Sequence, residues 1–213
     1  LAVTAGLAVA GVSEDDLSAI VARGAVLRDV FAAYPLTSRP LLDYHQALLR
    51  GPSPFSAAER ELIAAYVSGL NACGYCHGVH SATARAFGLD EGLVTALLDN
   101  VDTAPVDARM KSVLGYVGKL PLTPSRMIPG DAEAVFQAGW DERALHDAVS
   151  VCALFNLMNR LVDGLGIQAG EEYFKLAAER LAHHGYAGLL ANAAAGAGQD
   201  RAVDGDGPDA DQA

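Results

Sequence analysis

The residues able to do chemistry crowd into one stretch of the chain: Glu61, then Asn71-Ala-Cys73-Gly-Tyr75-Cys76-His77, then His80. Two cysteines three apart suit a reversible disulfide or a soft metal. With Asn71 as a helix cap, each following residue turns about 100°, so Cys73, Cys76 and His80 share one stripe, His80 one turn beyond Cys76. The cysteines then fall in the first turn, where unpaired backbone amides and the helix dipole stabilise a thiolate. An imidazole one turn away accepts the thiol proton or passes it onward. Glu61 belongs to the preceding helix and meets the stripe only if that helix folds back as an antiparallel neighbour. Burial there would raise its proton affinity and suit it to a relay with His80. A cysteine pair, a proton carrier and a buried carboxylate are the minimal set for a peroxide cycle. A thiolate takes the outer oxygen of a hydroperoxide, the resulting sulfenic acid condenses with the second cysteine, and an external dithiol resets the disulfide.

The elements that must hold these residues read as helices nearly throughout: Ala and Leu dominate, strand-like alternation is scarce, and Gly and Pro punctuate at helical intervals. Ser13 with Asp16 opens the first helix, which carries Val30 and Phe31 up to Tyr34 and the breaker Pro35. A loop-rich piece follows around Pro40 to Pro54, with a short helix from Leu41 to Leu49. Ser56 and Glu59 form a cleaner capping box for a helix that weakens at Gly69. The Asn71 helix ends at Gly88, and shorter helices fit Asp90 to Leu98 and Pro105 to Leu120. Pro121, Pro124 and Pro129 predict an irregular connection. A long helix from Asp141 to about Leu165 buries Leu145, Val149, Cys152, Phe155 and Val162. Helices over 170–184 and 186–195 complete the reading. The predicted fold is all-α, a helical bundle formed by one domain over residues 1–195, whose apolar content favours oligomerisation through helix faces.

Composition narrows the partners. The chain has 213 residues, half of them hydrophobic, and 15 Lys and Arg against 26 Asp and Glu, a formal net charge of −11. Nucleic acid and anionic membrane surfaces both demand a basic footprint and are excluded as main partners. No apolar run approaches the ~20 residues of a spanning helix. The apolar start, Leu1 to Val12, lacks the positive residues of a signal peptide, so a cytoplasmic location is expected. From Gly196 onward the sequence turns to Gly, Ala and Asp, with five aspartates against Arg201, which predicts a flexible acidic tail over 196–213.

The run Glu61…Asn71-x-Cys73-x-Tyr75-Cys76-x-x-x-His80, followed by an Ala-rich helix, resembles the alkylhydroperoxidase D-like branch of the carboxymuconolactone decarboxylase superfamily. Phe155-Asn156-Leu-Met-Asn159-Arg160-Leu-Val-Asp163 is similar to its peroxidase-related members, and the likeness spans roughly residues 40 to 165. It implies an all-helical bundle assembling as trimers or hexamers, working on hydroperoxides with an external dithiol or redox protein as reductant, and without a metal or other cofactor. By position it makes Cys76 the attacking cysteine and Cys73 the resolving one, with Glu61 and His80 relaying protons. Tyr75 departs from the pattern, because the best-known members have a histidine between the cysteines. A phenol with a pKa near 10 cannot shuttle protons in the same way.

Other readings share these residues. Cys73-Gly-Tyr-Cys76-His77 is letter for letter a c-type haem attachment motif, though mid-chain and without an export signal. Cys73, Cys76, His80 and Glu61 also offer zinc ligands, but His45, His146, His183 and His184 are too scattered to close a site. A decarboxylase or lactone-processing enzyme would need a cationic pocket, for which Arg160 is the nominee. A non-catalytic redox switch of assembly needs only the disulfide. Cys152 reads as core, and His77 as facing solvent or an interface while remaining able to line the site. Asn156, Asn159 and Arg160 read as helix-capping or interface groups that could also border the pocket, with Asp163 as a partner for Arg160.

Overall fold

The computed structural model describes residues 26–189. The Ser13–Asp16 start signal, the end of the expected 186–195 helix and the acidic tail lie outside these residues. Within them the protein is all-α, without strands: α1 (Leu27–Ala33), α2 (Pro35–Arg50), α3 (Ala57–Leu70), α4 (Gly74–Ala86), α5 (Leu93–Asp99), α6 (Ala108–Leu122), α7 (Pro129–Gln137), α8 (Glu142–Gly164) and α9 (Glu171–His184), with a short 3-10 turn at Pro124–Arg126.

Helix α3 is the axis of the bundle. It is buried without interruption from Arg60 to Ser68, as expected of a helix packed on all sides, here by α4, α5, α6 and α8. Its start is the capping box read from the sequence: Ser56 Oγ accepts from the Glu59 amide, and Glu59 Oε2 accepts from the Ser56 amide at 2.7 Å. Arg60 pins this end to α2 by donating to the Leu48 and Gly51 carbonyls at 2.8 Å each. Small residues then let α4 lie close. Gly78 is one such point, since a Cβ there would stand 2.3 Å from the Phe174 ring of α9.

The structure corrects several expected boundaries. Pro35 begins α2 rather than ending a fold element, and α2 runs unbroken through Pro40 to Arg50 where a loop with a shorter helix was expected. Proline at a first helical position loses nothing, because that amide has no intrahelical acceptor. The same logic applies at Pro129, which opens α7 in a segment expected to be irregular, and α6 continues past Pro121 to Leu122. The long helix α8 starts where the sequence placed it, and Asp141 proves to be its cap, accepting from the Ala144 amide at 2.8 Å. Its buried face is carried by Ala144, Ala148, Val151, Cys152, Phe155 and Val162, while Leu145 and Val149 are only half-buried.

Candidate functional site

Asn71 does not cap α4. It is the C-cap of α3, and its side chain donates to Asn159 Oδ1 at 2.8 Å and Asn156 Oδ1 at 3.3 Å on α8. Ala72 turns the chain in the left-handed region, φ 57°, and Cys73 becomes the N-cap of α4. The tight turn makes α3 and α4 an antiparallel hairpin, and the fold-back required of Glu61 is observed.

Glu61 is fully buried and His80 nearly so, with His80 Nδ1 2.7 Å from Glu61 Oε2. A carboxylate only accepts, so Nδ1 carries the proton and Nε2 is left as the basic nitrogen. The other carboxylate oxygen is held as firmly. Arg50 Nη2, from the end of α2, lies 2.7 Å from Oε1, and the Tyr186 hydroxyl donates to the same atom at 2.8 Å. The expectation of a raised proton affinity is therefore overturned. Burial does push the Glu61 carboxyl up, but His80, Arg50 and Tyr186 together outweigh it and hold the group below the usual carboxylate range. Arg50 is itself fixed, with its guanidinium 5.0 Å from the ring centres of both Phe87 and Tyr186.

Cys73 and Cys76 are free thiols, both buried, and they interact with each other. The neighbouring Cys76 thiol holds the Cys73 thiol below its ordinary range, against the opposing effects of burial and of Asp163; the Cys76 amide helps, although Cys73 closes no regular cap. Cys76 moves the other way. The neighbouring Cys73 sulfur and burial push it far above the thiol range, and the buried Asn159 side chain partly offsets this. The two thiols titrate as a pair.

Access runs the other way. Cys76 and His80 line a half-open cleft of about 660 Å³, mouth included, and Cys73 is not part of its described lining. Phe155 packs edge-on against His80, with ring centres 4.4 Å apart. Tyr75 lines the cleft too, its hydroxyl donating to Tyr173 at 2.8 Å. Burial raises the Tyr75 phenol above its ordinary range and keeps it neutral.

Of the remaining sequence candidates, His77 is turned away from the cleft, its Nδ1 3.2 Å from the Ala65 carbonyl. Asn156 donates to the Cys152 carbonyl at 2.9 Å and accepts from Arg160 at 2.9 Å, so it braces the α3–α4 turn without lining the cleft. Arg160 is exposed and bonds back to its own helix through Asn156, not to Asp163, which sits beside Cys73. Cys152 is fully buried in the core. Among the described residues no three His, Cys, Asp or Glu side chains gather closely enough to hold a metal ion, and no helix is long and apolar enough to cross a membrane.

Sequence reasoning missed Arg50 and Tyr186, and it left His45 as a scattered histidine. His45 is buried on the same cleft and donates from Nδ1 to the Leu41 carbonyl at 2.7 Å. Desolvation lowers it to about 4, so its imidazole is neutral near pH 7. The only local sign of Arg50 was a cation in a last helical turn, which ordinarily answers the helix dipole.

Residues 35–118 match the carboxymuconolactone decarboxylase family. The fold is similar to that of a peroxidase-related protein from Silicibacter sp. TM1040, at 26% identity and a TM-score of 0.66, over 78% of this chain and 90% of that one. A second solved structure is described as the alkylhydroperoxidase AhpD core of a peroxidase-related protein from Ralstonia eutropha JMP134; it aligns at 25% identity and a TM-score of 0.65, over 76% and 86% of the two chains. The protein YdfG of Bacillus subtilis (strain 168) is 26% identical over 120 residues, 56% of this chain and 82% of that protein. The resemblance read from the sequence is supported: part of the chain matches the carboxymuconolactone decarboxylase family, and its fold is similar to those of alkylhydroperoxidase D-like, peroxidase-related proteins.

Proposed function

We propose that the protein is a thiol-dependent peroxidase that reduces organic hydroperoxides through Cys76 and Cys73. The observation that carries this reading is a pair of neighbouring thiols, one of which lines the same cleft as an imidazole anchored on a buried, ionised carboxylate. As the Cys76 proton shifts to the Cys73 sulfur or to His80 Nε2, the cleft-facing sulfur becomes the nucleophile. It attacks the outer peroxide oxygen, the O–O bond breaks, and the leaving alkoxide takes a proton from His80 or Cys73. Cys76 is left as a sulfenic acid and the alcohol departs. The Cys73 thiol then condenses with it, releasing water and forming the disulfide, which an external dithiol reduces back to two thiols.

Glu61 serves this cycle as an orienting anion. Held below the carboxylate range by its three donors, it stays charged, fixes the His80 tautomer and stabilises the imidazolium, the role an aspartate plays in a catalytic triad. Tyr75, neutral and tied to Tyr173, walls the cleft and moves no proton. The decarboxylase alternative gains nothing from its nominee, because Arg160 lies off the cleft.

The test is steady-state reduction of cumene hydroperoxide with dithiothreitol as donor. Cys76→Ser is expected to lose at least about a thousandfold in turnover, and unchanged turnover in that variant contradicts the reading. Cys73→Ser is expected to react once and stall.

A further inference from the structure

The cleft carries a feature that the thiol chemistry does not use. Two guanidiniums border it, Arg28 from α1 and Arg180 from α9, while its described lining contains no Asp, Glu or Lys and is otherwise mostly apolar and aromatic. In a chain with a net charge of −11, two arginines on a cleft whose described lining holds no carboxylate stand out. Arg28 makes a long ion pair with its sequence neighbour Asp29, at 3.9 Å, and the other oxygen of Asp29 accepts the Val26 amide. Arg180 donates from Nε to the Leu176 carbonyl of its own helix at 3.2 Å, and among the described residues no carboxylate lies within ion-pair distance of it. Both are half-buried, where a charge–charge contact is screened less than on open surface.

Resting on the peroxidase reading, we infer that the substrate is an organic hydroperoxide whose apolar chain ends in a carboxylate. Arg28 and Arg180 receive the carboxylate, Leu27, Phe31 and Leu181 line the path of the chain, and the part of the cleft at Cys76 and His80 takes the peroxide group. A guanidinium fork matches the two carboxylate oxygens, and a neutral ester of the same chain forfeits that match while keeping the apolar contacts.

The experiment compares linoleic acid hydroperoxide with its methyl ester at low ionic strength, using the unmutated protein and dithiothreitol. The acid is expected to show a kcat/KM about tenfold or more above the ester, carried by KM. The paired substitution Arg28→Gln, Arg180→Gln is expected to bring the ratio to about one, with helicity by circular dichroism checking the fold. Binding of laurate and methyl laurate to the Cys76→Ser protein separates this inference from the reading beneath it. Equal turnover of acid and ester overturns the carboxylate assignment and leaves the peroxidase standing. No turnover of either, with laurate bound in preference to its ester and the preference lost in the arginine variant, overturns the peroxidase and supports the ligand class. No turnover and no preference in binding overturns both.

Discussion

The α3–α4 hairpin presents two poles built on opposite plans. At one, Glu61 is gripped by groups from three separate parts of the chain: Arg50 at the end of α2, His80 on α4 and Tyr186 beyond α9. At the other, Cys73 and Cys76 come from a single turn and meet each other first, with Asn159 and Asp163 of α8 as outside contacts. At the carboxylate pole the charge of Glu61 is matched by donors on both oxygens, while its His80 and Tyr186 also reach the cleft. At the thiol pole Cys76 opens on the same cleft. The difference suits a division of labour in the proposed cycle: long-range ion pairs hold the part whose charge stays fixed, and a local, soft pair holds the part that would change covalent state.

Mutations test that contrast by how unequal their costs are. Glu61→Gln leaves the Arg50 cation buried without its counterion, so it is expected to cost about 3–5 kcal/mol of stability in chemical denaturation. Cys73→Ser is expected to cost less than about 2 kcal/mol. Equal costs would break the contrast.

The next effect is one of pH. His45 holds its proton more weakly in the folded protein, at about 4 against 6.5 unfolded, under the influence of burial and of the nearby His80. The unfolded chain therefore binds the extra proton first as pH falls. Stability is full above pH 6.5 and drops by up to about 3 kcal/mol on the way to pH 4. Glu61, whose pKa is lowered, adds its own loss only below the unfolded carboxylate value of about 4.3. Denaturation of His45→Gln across this range is expected to show a flat profile between pH 6.5 and 4.5, and an undiminished slope would exclude His45 as its source.

Smaller changes sharpen the picture. Tyr186→Phe keeps the ring against Arg50 and His45 but removes one donor from Glu61, at an expected cost of about 1 kcal/mol. At the thiol pole, Ala72 occupies the left-handed region. Ala72→Gly relieves that strain at some cost in chain entropy, and a net gain of about 0.5 kcal/mol in thermal unfolding is expected. A loss would mean that the turn relies on the alanine methyl.

What could be read in advance follows the same line. The thiol pole was legible, because Cys73, Cys76 and His80 lie within three helical turns and their spacing alone puts them on one stripe. The capping box at Ser56–Glu59 and the start of α8 at Asp141 are equally local and were read correctly. The carboxylate pole was legible only in part. The fold-back of Glu61 onto His80 followed from the hairpin, but nothing near Tyr186 in the sequence announces a partner 125 residues away. The sequence reading weighed burial but neither the charge and hydrogen bond of His80 nor the unseen Arg50 and Tyr186, and the direction for Glu61 came out reversed. Pro35 and Pro129 misled for a different reason: proline stops a helix only where its missing amide is needed, and at a first position it is not, while Pro40 sits inside α2 and is carried at the loss of one helical hydrogen bond.

The central claim is that one peroxide converts the two thiols into one disulfide, with Cys76 reacting first. Intact-mass spectrometry after a single equivalent of cumene hydroperoxide tests it most directly. The unmutated protein is expected to lose about 2 Da as the Cys73–Cys76 bond forms, and Cys73→Ser to gain about 16 Da as a sulfenic acid on Cys76. A 16 Da gain on Cys73 in the Cys76→Ser protein, with Cys73→Ser inert (~0 Da), would reverse the assignment of the two sulfurs. No mass change in any of the three proteins would contradict the account as a whole.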